Sequence, residues 1–199
     1  MELYGLHRKD SLILTAIELL DELGVQGLST RAIANRQSVS EATLFRHYKS
    51  KNDLMLAMID EDSKYDADII STVSINKMPP RNAITFFFNS IVEYYQNYPA
   101  ITAIQQAYDV LSYEPLLAER IKKAYTTRID FLKSLIAEAQ TTGEINSTAD
   151  IEKLSYVIWG SFTTICLNWR FSKYNFSLKE YVLNTLNMTL DAFAAKKQL

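Results

Sequence analysis

Several residue types that would point to other classes of protein are scarce in this sequence. One cysteine, Cys166, among 199 residues excludes an intramolecular disulfide and is expected to be a small buried side chain. Four prolines and five glycines leave long uninterrupted stretches, which favours helices over turn-rich β structure. We expect neither a secretion signal nor a membrane-spanning segment, because no charged-then-apolar leader and no run of about 18 apolar residues occurs. A cytoplasmic, all-α protein is expected.

Residues suited to catalysis or metal binding are similarly sparse. His7 is expected on a solvated N-terminal turn, and His47 is disfavoured as a metal ligand because no cluster of Cys, His or carboxylate residues accompanies it. The sequence has no glycine-rich phosphate loop and no evident Ser/His/Asp arrangement. We therefore expect no enzyme, no metal site and no cofactor.

Positive charge is concentrated in one short segment, although the whole chain carries a net charge of −2. Residues 29–51 contain five basic residues and one acid, a net charge of +4, whereas residues 1–28 and 52–199 each carry −3. A basic face on an otherwise acidic protein is expected where phosphate is bound. The segment is thus the first candidate for a nucleic-acid interface.

Hydrophobic periodicity and the positions of Pro and Gly predict about nine helices. They cover residues 7–23, 29–37, 40–47, 50–75, 80–97, a stretch that opens at Pro99, and residues 115–142, 148–171 and 177–195. Serine or threonine is expected to cap four of them, at Ser29 or Thr30, Ser40, Ser50 and Ser177.

Residues 38–48, SVSEATLFRHY, form a short polar segment between amphipathic helices. A helix, a tight turn and a short polar helix flanked by basic residues is the layout of a DNA-reading helix-turn-helix. Ile33, Val39 and Leu44 can share a small core, which leaves the polar side chains to enter a major groove. The alternative, short solvated helices without DNA contact, stays open on spacing alone.

The residue types in this segment suit a groove in DNA. Ala42 and Thr43 are small enough for close approach and for contact with a thymine methyl, and Arg46 can read guanine or hold a phosphate. Thr30 and Arg31 begin the preceding helix, where N–H groups and the helix dipole favour phosphate.

The run GVQGLSTRAIANRQSVSEATLFRHYKSKNDL, from Gly24 onward, resembles the N-terminal motif of the TetR family of bacterial regulators. That motif has a Gly, a hydrophobic-Thr-Thr stretch, IA and then GVSxGTLYxHFxxKxxL, and it fits in register without gaps. The matching positions are Gly24, Ser29, Thr30, Ile33, Ala34, Val39, Ser40, Thr43, Leu44, His47, Tyr48, Lys51 and Leu54. Beyond about 50 residues only length and helix count agree.

The resemblance implies that Thr30 and Lys51 contact phosphates while the recognition helix meets the bases. The DNA-binding candidates are Thr30, Arg31, Ser40, Glu41, Ala42, Thr43, Phe45, Arg46, His47 and Lys51.

Three positions depart from the family pattern. Ser38 replaces a glycine of the turn and must adopt its backbone angles at some cost. Ala42 replaces a second glycine, which is expected to alter base preference. Phe45 replaces a tyrosine, so a hydroxyl contact to phosphate is lost and we expect Phe45 to pack.

Aromatic residues crowd the rest of the chain, and two interpretations are open: a packed helical core, or an apolar cavity with a few polar groups for a small molecule. Twelve tyrosines favour the cavity slightly, because a buried hydroxyl needs a partner. The resemblance implies an effector among the fifth to eighth helices. The pocket candidates are Phe88, Glu93, Tyr94, Tyr108, Asp109, Arg120, Tyr125, Trp159 and Phe162.

The last two predicted helices carry apolar stripes, with small residues that permit close approach. The resemblance implies that this pair meets its twin in a four-helix bundle, and an intramolecular hairpin is the alternative. The dimer candidates are Leu154, Ile158, Ser161, Ile165, Leu186 and Leu190.

These features predict a helix-turn-helix DNA-binding domain over residues 1–50, a connecting helix over about 51–75 and an effector-binding and dimerisation domain over 76–199, separated at the proline pair 79–80. The expected function is a ligand-responsive regulator, most often a repressor in this family. It would bind a palindromic operator in double-stranded DNA as a homodimer, and a small apolar or aromatic effector would release it. The alternative is a protein partner or coactivator that keeps the fold without reading DNA.

Overall fold

The computed structural model describes residues 8–195, and this part of the chain is all-α as predicted. Within it lie ten α-helices: α1 (Arg8–Gly27), α2 (Thr30–Arg36), α3 (Glu41–His47), α4 (Lys51–Asp62), α5 (Asp66–Asn76), α6 (Pro80–Asn97), α7 (Thr102–Leu111), α8 (Pro115–Thr141), α9 (Ile151–Phe171) and α10 (Leu178–Ala192). A 3₁₀ turn at Pro99–Ile101 precedes α7. His7 lies outside the described residues.

Local sequence signals set most helix ends. Four serine side chains each accept a hydrogen bond from the backbone N–H three residues further on, which confirms the predicted caps at Ser29, Ser40, Ser50 and Ser177. Gly24 adopts a φ of 67° and ends the regular part of α1, because glycine alone takes this left-handed conformation without a steric penalty.

The helix predicted over residues 50–75 is divided in two. α4 ends at Asp62 and α5 begins at Asp66. The hydroxyl of Ser63 donates to the carbonyl of Ile59, a local bond that competes with the helical pattern where α4 ends. The extra helix accounts for ten observed against about nine predicted.

The described residues form two compact units, and the chain passes between them three times. The first unit holds the residues up to Lys64 together with Tyr98–Ala124. In it, α1 packs against α2, α4 and α7 around buried leucine and isoleucine side chains. The hydroxyl of Tyr98 donates to the Leu14 carbonyl at 3.3 Å, which fixes the start of the inserted segment on α1.

The second unit holds Tyr65–Asn97 and the residues from Tyr125 onward. α10 packs against both α6 and α9, and the buried face of α6 carries Phe87, Phe88 and Tyr95. Arg128 is buried in this unit and pairs with Asp66. Along residues 8–195, no helix has the length and apolar character needed to cross a membrane.

Candidate nucleic-acid interface and ligand region

A tight turn of residues 37–40 joins α2 to α3. Ser38 adopts a φ of 52°, the left-handed conformation that the glycine of the family motif would supply. The N–H of Ser38 donates to the Asn35 carbonyl at 3.0 Å, and the N–H of Val39 donates to that of Ala34 at 2.9 Å. The turn is therefore closed by main-chain bonds, and the predicted strain at Ser38 is present.

Helix α3 is held by its inner face. Leu44 is fully buried, and the hydroxyl of the buried Tyr48 donates to the Lys9 carbonyl on α1 at 3.2 Å. Burial, with smaller contributions from the charges of Asp10 and Glu61, raises the pKa of Tyr48 to about 12. The short helix is thus anchored by one buried apolar side chain, and Tyr48, directly after it, ties its end to α1.

The outer face of α3 is exposed to solvent. Ala42, Phe45, Arg46 and His47 all lie on it. The expectation that Phe45 packs is wrong, because its side chain is 42% exposed. It follows the buried Leu44 by one residue, which turns it about 100° around the helix and away from the core.

Hydrogen bonds organise the polar side chains of this face. The Oγ1 atom of Thr30 donates to Oε2 of Glu41 at 2.7 Å, which joins the first residue of α2 to the first residue of α3. The hydroxyls of Ser40 and Thr43 lie 3.0 Å apart, and Nη2 of Arg46 donates to Oγ1 of Thr43 at 3.3 Å. Five of the ten predicted DNA-binding residues therefore form two hydrogen-bonded groups, one of two residues and one of three.

Two further basic residues of the segment, Lys51 and Arg36, also have protein partners. The Nζ atom of Lys51 donates to the Leu28 carbonyl at 2.8 Å, which leaves two of its three N–H donors for other groups. Arg36 forms two hydrogen bonds with Glu22, at 2.7 and 3.1 Å, and they lower the pKa of that carboxyl. The net charge of +4 for residues 29–51 includes Arg36, but the carboxylate of Glu22, outside that segment, offsets the Arg36 charge.

Four of the predicted effector residues come together in the second unit. The ring of Trp159 lies 5.2 Å from that of Phe162, 6.1 Å from that of Phe88 and 6.4 Å from that of Tyr125. Tyr95, which sequence reasoning left out of the candidates, stacks on Phe162 at 6.0 Å. Tyr95 could have been recognised as part of the cluster from its position four residues after Ile91, on the buried face of α6.

The aromatic cluster is closely packed. A crevice beside it, between α6, α9 and α10, has a volume of about 10 Å³. Its lining includes Phe88, Ser161, Phe162 and Leu186. This volume accommodates about one water molecule, whereas ligand pockets commonly measure about 300–1,000 Å³. In this conformation Phe88, Trp159 and Phe162 serve as core, whereas Tyr125 is exposed.

The polar effector candidates have other partners. In the first unit, the hydroxyl of Tyr108 donates to the buried carboxylate of Asp62 at 3.0 Å, and Arg120 pairs with Asp60.

Asp109 lies exposed on α7, in the same unit. In the second unit, the exposed carboxylate of Glu93 accepts from Nζ of Lys179 at 2.6 Å, and the ring of Tyr94 lies 4.9 Å from that of Tyr65.

The dimer candidates on α9 and α10 need correction. Four of them are at most 4% exposed and fill the core of the second unit: Leu154, Ile158, Leu186 and Leu190. Ser161 and Ile165 are half-buried and line the small crevice. The apolar stripe chosen from the sequence is the one that packs α9 and α10 inside the protomer, because a buried face and an interface have the same period of 3.6 residues.

A second apolar face of these helices is open to solvent. On α9 it includes Val157, Gly160 and Phe171, and on α10 Tyr181 and Met188. Phe171 and Met188 are 75% and 67% exposed, respectively.

Groups able to bind a metal ion are not found among residues 8–195, where no three His, Cys, Asp or Glu side chains gather. Cys166 is buried in α9.

The paired helices α2 and α3, with α1 beneath them, define a protein with a helix-turn-helix DNA-binding domain. Residues 12–58 match the bacterial regulatory proteins of the tetR family. The class C tetracycline repressor of Escherichia coli is 38% identical over 53 residues, which make up 27% of this chain and 24% of that protein. The N-terminal quarter of the chain is thus similar to the regulators of the TetR family. The match spans about a quarter of the length of the tetracycline repressors.

Solved structures extend the likeness to most of the fold. FadR of Bacillus subtilis, in complex with stearoyl-CoA, has a TM-score of 0.79 at 15% identity, over 92% of this chain and 98% of that one. The TetR-family transcriptional regulator PfmR of Thermus thermophilus has a TM-score of 0.72 at 18% identity, over 90% and 97% of the two chains. At these identities the likeness establishes a shared fold.

Proposed function

We propose that the protein is a ligand-responsive transcriptional repressor that binds a palindromic operator as a homodimer. The observation that carries this proposal is the outer face of α3. Ala42, Arg46 and His47 are exposed there, next to the exposed Arg31 at the start of α2, while Leu44 anchors the helix from behind. A small, basic, solvent-facing helix surface is what major-groove recognition requires.

The exposed apolar face of α9 and α10 supports the dimer. Val157, Phe171, Tyr181 and Met188 present large apolar side chains to solvent, and Gly160 allows a partner helix to approach. A two-fold dimer would place two recognition helices on successive major grooves, with half-sites about 34–36 Å apart.

An apolar effector is supported by the aromatic cluster and by the FadR neighbour, which was solved with stearoyl-CoA. Because the cluster is closely packed, an effector of ordinary size would have to move the Phe88, Trp159 and Phe162 rings apart. A ligand that prefers this opened state by about 1–3 kcal/mol would change DNA affinity about 5- to 150-fold.

The test is a binding selection from random duplex DNA at two salt concentrations, using protein refolded without small molecules. We expect a palindrome with half-sites about one helical turn apart, and weaker binding at the higher salt. The Lys122→Ala variant on α8 is the control, since it removes one positive charge outside the helix-turn-helix. If the wild-type protein enriches no sequence at either salt, the proposal is wrong and a protein partner without DNA readout replaces it.

A further inference from the structure

The hydrogen bond between Thr30 and Glu41 uses the only hydrogen of the threonine hydroxyl. Thr30 is the expected phosphate contact, and its Oγ1 atom lies 2.7 Å from Oε2 of Glu41. A phosphate oxygen only accepts hydrogen bonds, as an ionised carboxylate does. Thr30 therefore cannot donate to Glu41 and to DNA at the same time.

Contact between Thr30 and a phosphate would place two negative groups on one hydroxyl. The Glu41 carboxylate would then lose its donor and face the phosphate charge at short range, which is repulsive. Glu41 must turn away from Thr30, and it needs a new donor near the first turn of α3.

The protein offers few donors there. The bond between the Ser40 and Thr43 hydroxyls uses one of their two hydrogens, Arg46 donates to Thr43, and Ala42 has no polar side-chain group. The first residues of a recognition helix are the ones that reach base edges. The new donor is thus expected from the DNA.

The groups that each base presents in the major groove decide which base can donate to the Glu41 carboxylate. In the major groove, guanine and thymine present acceptor oxygens, which repel a carboxylate. Adenine presents an amino donor beside the N7 acceptor, whereas cytosine presents its N4 amino group without an adjacent acceptor.

We infer that Glu41 selects cytosine at one position of each half-site, and that its hydrogen bond with Thr30 is exchanged for one with the cytosine amino group when Thr30 binds a phosphate. The inference rests on the proposed DNA-binding function. Glu41 is thereby a specificity-determining residue: its charge opposes binding at any site that lacks the amino donor.

The experiment repeats the selection with Glu41→Gln and Glu41→Ala, and with Glu119→Gln as a control of equal charge change on α8. Dissociation constants are measured on the selected operator, on the same operator with that cytosine replaced by thymine, and on random DNA. Helix content and thermal midpoint are compared first, to verify that each variant is folded.

The wild-type protein and Glu119→Gln should prefer cytosine over thymine at one position by about tenfold, within the range of a good base contact. Glu41→Ala and Glu41→Gln should reduce this preference to less than about threefold, and both should bind random DNA several-fold more tightly at low salt.

Three results would overturn the inference. If the wild-type protein selects an operator whose consensus and base preferences are the same in both Glu41 variants, Glu41 does not set specificity, although the proposed function stands. If the position controlled by Glu41 prefers adenine, guanine or thymine, the assigned chemistry is wrong. Failure of the wild-type protein to enrich any sequence overturns the proposed function and this inference with it.

Discussion

Arg128 on α8 and Asp66 at the start of α5 form an ion pair inside the second unit. Nε of Arg128 lies 2.7 Å from Oδ2 of Asp66, and the two side chains are 2% and 9% exposed. Removing two charges from water costs several kcal/mol for each, and only their mutual attraction and hydrogen bonds offset this cost. The pair therefore ties the first turn of α5 to α8 as long as both charges are present.

Breaking this pair from one side should destabilise the protein strongly. Asp66→Asn removes the carboxylate charge that faces the buried Arg128 and should lower the free energy of unfolding by about 3–5 kcal/mol. The double variant Asp66→Leu with Arg128→Met, which removes both charges, should lose less than the single one. Urea denaturation measures both, and a loss below about 1 kcal/mol for Asp66→Asn would contradict the expected role of the pair.

The start of α5 is a feature that the sequence did not predict. Helix starts set by side-chain caps within the same segment, such as Ser40 and Ser50, were predictable because cap and helix are three residues apart. Asp66, the first residue of α5, instead pairs with Arg128, 62 residues away, and no local pattern reports such a partner. The packing of Tyr98–Ala124 with the N-terminal helices was missed for the same reason.

Backbone strain at Ser38 gives a second prediction. Its φ of 52° suits glycine, which has no Cβ to clash. Ser38→Gly should raise the free energy of unfolding by about 0.5–1 kcal/mol, after the greater chain entropy of glycine is included. The same change at Ser71, inside α5 and exposed, should instead cost about 0.5 kcal/mol. Thermal unfolding of the two variants tests both expectations. If both substitutions stabilise the protein, or neither does, strain at Ser38 is excluded.

Alkaline pH should weaken the first unit through two tyrosines. Burial is the largest cause of the raised pKa of both Tyr48, to about 12, and Tyr98. Both folded-state values exceed the unfolded value of about 10. The stability from keeping the phenols neutral is therefore complete below pH about 10 and is lost as pH rises through the folded pKa.

The loss can be measured as a slope. Between pH about 10 and 12 each of these tyrosines should reduce the free energy of unfolding by about 1.4 kcal/mol per pH unit. Tyr48→Phe should remove roughly half of the slope in urea titrations at increasing pH. Tyr113→Phe, at a solvent-exposed ring, is the control, and equal slopes for Tyr48→Phe and the wild-type protein would contradict the assignment.

The exposed face of α9 and α10 predicts the oligomeric state. Met188→Glu places a charge on the proposed interface, where it would be buried in the dimer without a partner, and should convert the dimer to a monomer in sedimentation equilibrium. Ile75→Glu on α5 makes the same change at an exposed apolar side chain outside this face and should remain dimeric. A wild-type monomer at high concentration would contradict the proposed dimer, and a dimeric Met188→Glu would place the interface elsewhere.

This prediction uses a surface that the sequence alone did not single out. Apolar periodicity marks both faces of α9, and only the observed burial of Ile158 separates the core face from the one that carries Val157. By contrast, the exposure of the polar side chains of α3 was predictable, since Leu44 is the one buried residue of that helix, whereas the exposure of Phe45 was not predicted.

Arg46 offers the sharpest test of base reading beside Glu41. Its side chain is exposed on α3 and donates to Thr43, which places the guanidinium on the face proposed to enter the groove. Arg46→Ala should weaken binding to the selected operator by about 1–3 kcal/mol and relax specificity at one position, because a base contact is lost. Arg36→Ala is the matched control: Glu22 already offsets that charge, so the operator affinity should change less than about threefold. An equal loss on operator and random DNA for Arg46→Ala would reassign Arg46 to a phosphate contact, since such contacts carry no sequence information.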